Sequence, residues 1–123
     1  MDIANLLWSS TVTWGWEGWY QTSLSTDGTS LYIGGDGPFI QKRALGTGAL
    51  VGWKGAISGT NSPTGGDPGC AGATGTTPGW CLGGAWTAST TMDGFTSTAY
   101  STSDGDYLYV TDGSNQRITR LVK

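Results

Sequence analysis

The side chains that do chemistry in proteins are scarce in this 123-residue chain, and the scarcity is selective. Histidine is absent. That removes Ser-His-Asp and Cys-His nucleophiles and every His-ligated zinc site. Cys70 and Cys81 are the only cysteines, and two thiolates without histidine make half of a zinc site. Five of the eight aspartates stand directly before glycine, at Asp27, Asp36, Asp93, Asp104 and Asp112. Asp-Gly forms turns, the carboxylate bonding to nearby backbone, and no spacing here matches a calcium loop. The sequence reads as non-catalytic, with neither metal nor cofactor.

What remains for molecular recognition is aromatic. Trp14, Trp16, Trp19 and Tyr20 alternate with Gly and Glu in the stretch Ser9–Tyr20, and Trp80 and Trp86 stand later in the chain. Indole faces stack on the CH surfaces of sugars while Asp, Asn, Glu and Ser bind hydroxyls. These six residues are therefore the candidate ligand-binding set. The competing reading is that they wedge between elements as core, the commoner fate of aromatics.

Charge narrows the partners. The net charge is −3, and the six basic residues (Lys42, Arg43, Lys54, Arg117, Arg120, Lys123) are thinly spread. No basic face exists to hold a phosphate backbone, so nucleic acid is not an expected partner. No apolar run reaches the length of a membrane span, and no signal peptide is present in this chain.

The elements that position these residues read as all-β. Glycine occurs 22 times, which suits many tight turns, and no window carries a sustained 3.6-residue apolar period. Near the C-terminus three strand-like runs, Thr98–Ser101, Tyr107–Thr111 and Gln116–Val122, are separated by Asp104-Gly105 and by Asp112–Asn115. Residues Gln21–Leu45 repeat this pattern about 77 positions earlier, and a repeat of small sheets marks a propeller or an array. A fourth strand, Ala49–Lys54, follows the first copy. The second copy lacks one, and Ala4–Trp8 resembles Ala49–Trp53 in order and spacing. The N-terminal strand is expected to close the last sheet, since an open edge invites aggregation; a mere terminal tail is the alternative.

The run Leu108-Tyr109-Val110-x-Asp112-x-x-Asn115-x-Arg117-Ile118 resembles the core of an NHL repeat, and the likeness extends upstream through Asp93-Gly94-Phe95. Gly52–Gly55, Pro63–Gly66 and Pro78–Cys81 are similar to segments of repeats in large secreted bacterial proteins. The first copy departs from the pattern. Phe39 stands where Arg117 stands later, and Gly34-Gly35-Asp36 shifts the acid. An Asp112–Arg117 pair is thus expected in one sheet only, with a structural role in blade geometry. The resemblance implies a β-propeller of four-stranded antiparallel blades, most often six. Two blades per chain cannot close a ring, so three chains are expected to form a homotrimeric six-bladed one. Excision from a longer propeller and an open array are the rivals. NHL-like propellers include metal-dependent lyases, but that chemistry needs histidine ligands.

Between the copies lies Ser58–Met92, rich in Gly, Pro, Ser and Thr. Cys70 and Cys81 are close enough in sequence to staple it, a closure that constrains the unfolded chain by about 3 kcal/mol. Free thiols are the alternative, ill suited to an oxidising compartment. We expect a disulfide-pinned loop on one face of the ring, and an extracellular or cell-surface location. The chain then divides into blade one (about 18–57), the pinned loop (about 58–92), and blade two (about 93–123 plus strand 3–9). The expected function is a non-catalytic scaffold presenting loops to a protein or surface. An oligomeric lectin is the alternative, and an enzyme ranks third.

Overall fold

The computed structural model describes residues 21–35, 37–90 and 94–123. Ala4–Trp8, and with it the expected closing strand, lies outside them. So do Trp14, Trp16, Trp19 and Tyr20.

The described residues are all-β and antiparallel. Sheet 1 begins as a four-stranded meander: β1 (Gln21–Thr26), β2 (Ser30–Gly35), β3 (Phe39–Ala44) and β4 (Leu50–Ile57). Three short strands follow: β5 (Gly65–Gly66), β6 (Cys81–Leu82) and β7 (Trp86–Thr87). Sheet 2 is the meander β8 (Thr98–Asp104), β9 (Tyr107–Asp112) and β10 (Arg117–Val122). Turn chemistry sets the hairpins. Asp27 Oδ1 accepts the backbone N–H groups of Thr29 at 3.0 Å and Ser30 at 2.8 Å, fixing the β1–β2 connection as an Asx-type turn.

The repeat is visible strand by strand. Leu24 pairs with Ile33 and Ser25 with Tyr32 in sheet 1, as Ser101 pairs with Val110 and Thr102 with Tyr109 in sheet 2. The first strand of each sheet also carries a register shift at the same place, between Gln21 and Ser23 and between Thr98 and Tyr100. Such irregularities are retained features of a sheet's design. Their recurrence shows that the two sheets are one structural unit used twice.

The sheets pack face to face, closest at their first strands, where β8 lies beside β1 and β2. There the side chains are small. Ser101 Oγ hydrogen-bonds Ser23 Oγ at 2.8 Å and Ser25 Oγ at 3.1 Å, and Ser103 Oγ donates to the Thr26 carbonyl at 2.8 Å. Farther out the gap is filled by Tyr32, Ile40, Trp80, Phe95, Leu108 and Val110, with Leu121 packed against them. Period-2 alternation delivers Tyr32, Ile40, Leu108, Val110 and Leu121 to one face of each sheet, while Trp80 and Phe95 enter from the connecting segments.

Thr98 fastens the corner. Its buried hydroxyl donates to the Phe39 carbonyl at 2.8 Å and accepts the Gly35 N–H at 3.2 Å, while its own N–H donates to the Gly37 carbonyl at 3.2 Å. Gly34 must be glycine for this approach, because a Cβ there would lie 2.5 Å from Thr98 O. Thr98→Val keeps the shape and removes the hydroxyl, leaving a buried N–H and a carbonyl unsatisfied. The expected cost is about 1–3 kcal/mol, measured by denaturant melts.

Three expectations need correction. β8 runs to Asp104 and not to Ser101, because the ladder continues to Asp104 opposite Tyr107. β4 runs to Ile57 and not to Lys54. Nor is it the last strand of a four-stranded blade, as the resemblance implied: β6 pairs with it through Cys81 opposite Trp53, and β7 through Thr87 opposite Ala56. The first extension is local hairpin pairing across the turn between Asp104 and Tyr107, and the second is backbone pairing supplied by segments remote in sequence. Among the described residues, the outer edge of β10 has no ladder partner.

Candidate binding surface

The segment from residue 58 to 90 is not a linker. A Cys70–Cys81 disulfide crosses it with Cα atoms 5.3 Å apart. Backbone bonds hold both of its arms: Ile57 N–H to the Gly75 carbonyl at 2.8 Å, Thr77 N–H to the Gly55 carbonyl at 3.0 Å, and Ser58 N–H to the Ala85 carbonyl at 2.8 Å. Asp67 adds a side-chain tie, its Oδ2 accepting the Trp80 N–H at 2.8 Å. The loop clasps the β4 edge of sheet 1 from both sides. Trp80 lies on the face turned to sheet 2, and Trp86 on the opposite face with Phe39, Trp53 and Ile57. Trp53 Nε1 donates across to the Gly83 carbonyl at 3.0 Å. Gly52 permits the clasp, since a Cβ there would stand 2.7 Å from the Trp80 carbonyl carbon.

This placement divides the candidate aromatics. Trp80 is 3% exposed, its ring 5.7 Å from that of Tyr32. Lys42 and Lys54 hold their ammonium groups 5.6 Å and 5.1 Å from its centroid, a cation–π arrangement. A sugar-stacking role for Trp80 is therefore replaced by a core role, because hydrophobic area this large is most favourably spent between the sheets. Burial depresses the Lys54 ammonium below the usual lysine range, with Asp67 opposing the shift and Lys42 adding to it. Trp86 is half-buried, one ring face stacked on Phe39 at 4.8 Å. What the clasp leaves open to solvent is mostly small and polar, including Asn61, Thr64, Asp67 and Thr74, with Pro68 and Leu82 as its exposed apolar members.

Asp112 and Arg117 do meet. The Arg117 guanidinium lies 3.1 Å from Asp112 Oδ2 and also donates to the Gly94 carbonyl. The same carboxylate accepts the Asn115 amide at 2.6 Å and, through Oδ1, the N–H groups of Thr96 and Ser97, each at 3.1 Å. Burial pushes the Asp112 carboxyl upward; the Asn115 bond, then the Ser97 and Thr96 N–H groups and Arg117, outweigh it and hold it below the usual range. The cluster ties the segment that leads into β8 (Gly94, Thr96 and Ser97) to the β9–β10 turn, which is a fold-holding geometry. Asp27 is held low in a related way, its Oδ2 accepting the Tyr32 hydroxyl at 2.7 Å, and Tyr32 is correspondingly raised by burial and by that bond.

No known protein-family model, characterised protein or solved structure matches this chain. Its surfaces must be read on their own terms. Among the described residues no three Asp, Glu or Cys side chains gather as metal ligands, and no helix is long and apolar enough to cross a membrane.

Sequence reasoning missed one surface. The face of sheet 2 turned away from sheet 1 carries the cross-strand rows Tyr100–Thr111–Ile118, Thr102–Tyr109–Arg120 and Asp104–Tyr107–Val122. Tyr100 is 68% exposed, Ile118 72% and Val122 63%. Arg120 lies 4.5 Å over the Tyr107 ring. The alternation of apolar residues on both faces of β9 and β10 was the available signal.

Proposed function

We propose that the chain is a non-catalytic binding module: two NHL-like propeller blades that assemble with further copies into a closed ring, three chains making six blades. The observation that carries this reading is the shared register of the two sheets, with the same first-strand shift in each and the first strands side by side. Identical units that pack by their faces propagate until symmetry closes them. The disulfide-clasped loop is the presented surface. Fixed to the outer edge of sheet 1, it offers exposed backbone and small polar side chains on a rigid base, as a protein-binding surface requires. The disulfide also supports an extracellular or cell-surface setting.

Light scattering across a concentration series tests the assembly. The expected mass is about three times the 12.8 kDa of one chain, and a persistent 12.8 kDa species would sink the ring. The lectin reading is kept by one observation, the half-open ring of Trp86 at the clasp. A glycan array decides it: a saccharide signal that disappears with Trp86→Ala makes the module a lectin, and silence across the array leaves a protein partner.

A further inference from the structure

We infer that the exposed Tyr100–Ile118 face of sheet 2 is the docking surface for a second copy of this chain, which meets it head to tail with the Leu24 face of its own sheet 1. The inference rests on the assembly proposed above and names its joint.

Within one chain the two sheets already define how such units pack. The face of sheet 1 bearing Ser23, Ser25, Tyr32, Ile40 and Lys42 meets the face of sheet 2 bearing Ser101, Ser103, Leu108, Val110 and Leu121. The repeat then assigns every other position. Ser23 corresponds to Tyr100, Tyr32 to Tyr109, Ile40 to Ile118 and Lys42 to Arg120. Sheet 2 thus carries, on its outer face, the counterpart of the surface that sheet 1 buries. In the same way Ser101 corresponds to Leu24, Leu108 to Leu31 and Val110 to Ile33. The outer face of sheet 1 carries the counterpart of the surface that sheet 2 buries. Its β1 side is open, with Leu24 67% exposed, whereas Phe39, Gln41, Arg43 and Trp53 on its β3–β4 side are already buried within the chain, so the joint engages the β1 side.

At the first strands the open positions are more apolar than their buried counterparts, Tyr100 standing for Ser23 and Leu24 for Ser101. Where the internal joint pairs Ser23 with Ser101, the equivalent external joint brings Tyr100 toward Leu24. A contact made between separate chains gains from this, because it must offset lost translational and rotational freedom. Each face also carries a cation over a ring, though not at equivalent rings: Lys42 lies 5.8 Å over Tyr32, and Arg120 lies 4.5 Å over Tyr107, the counterpart of Ser30. The two faces differ, so the joint is heterologous, and it closes into a ring wherever the rotation allows.

Charge-introducing variants test this on the full chain. Ile118→Glu blocks one face and Leu24→Glu the other. Both sites are exposed, and thermal melts within a few degrees of the parent verify that each variant folds. Expected are loss of assembly to 12.8 kDa species for each variant alone, and a species of two chains when the two are mixed, since each then supplies the face the other lacks. Tyr100→Lys serves as a second block of the first face. If Leu24→Glu still assembles while Ile118→Glu and Tyr100→Lys do not, the joint is face to itself, and the inference is overturned. It is equally overturned if the parent assembles and no variant changes its mass, with the ring itself left standing. A parent chain that stays at 12.8 kDa throughout removes both.

Discussion

Asp112→Ala is expected to lower folding stability by about 3 kcal/mol, since it takes away the acceptor shared by the half-buried Arg117 guanidinium, the Asn115 amide and two backbone N–H groups. For a chain of this size that is a fall in melting temperature on the order of 10 °C. The loss is larger than an ordinary surface pair would give, because one fully buried carboxylate collects the Arg117 guanidinium, the Asn115 amide and two backbone N–H groups. The pH dependence has a definite sign. A carboxyl held below its unfolded value, about 3.9 for Asp, contributes stability that is complete above that value and is lost as pH falls through the lower folded value. Asp27, also held low, contributes in the same direction. Melts from pH 7 to pH 2 should show the parent losing stability below about pH 4, and Asp112→Ala losing less. A variant that melts with the parent at pH 7 would refute the assignment of this cluster as the fastening of sheet 2.

Removing the disulfide is the second large effect. Cys70→Ser with Cys81→Ser, or reduction of the parent, should cost about 3 kcal/mol by the loop-closure relation. The change is expected to be local as well as global. The clasp holds β5 and β6 to β4 through few ladder pairs, so its loss should expose residues 58–90 to proteolysis while sheet 2 stays protected. Limited digestion followed by mass spectrometry reads the difference. Unchanged cleavage in the reduced protein would mean that Asp67 and the backbone bonds to β4 suffice.

The paired sheets were legible because β-branched and aromatic residues alternate at period 2 and Asp-Gly turns recur at fixed offsets. The covalent tie was legible from the spacing of two lone cysteines. The clasp was not. Glycine- and proline-rich sequence has no period, and its pairing partner is β4, set by tertiary approach rather than by local preference. Trp80 illustrates the same limit: in sequence it sits in a surface-like loop, yet the loop turns it into the core. Tyr100 and Ile118 escaped notice for the opposite reason. When both faces of a strand carry apolar residues, alternation alone cannot say which one a neighbour covers.

The serine seam has a geometric consequence. Ser23, Ser25 and Ser101 let the sheets nearly touch on one side, while Trp80, Tyr32 and Leu121 prop them apart on the other. The pair is therefore tapered, and the taper is an angle written in side-chain volume. Any array of such sectors turns through that angle at each step. The number that completes a revolution is then decided by the size difference between a few hydroxyls at the narrow side and one indole at the wide side.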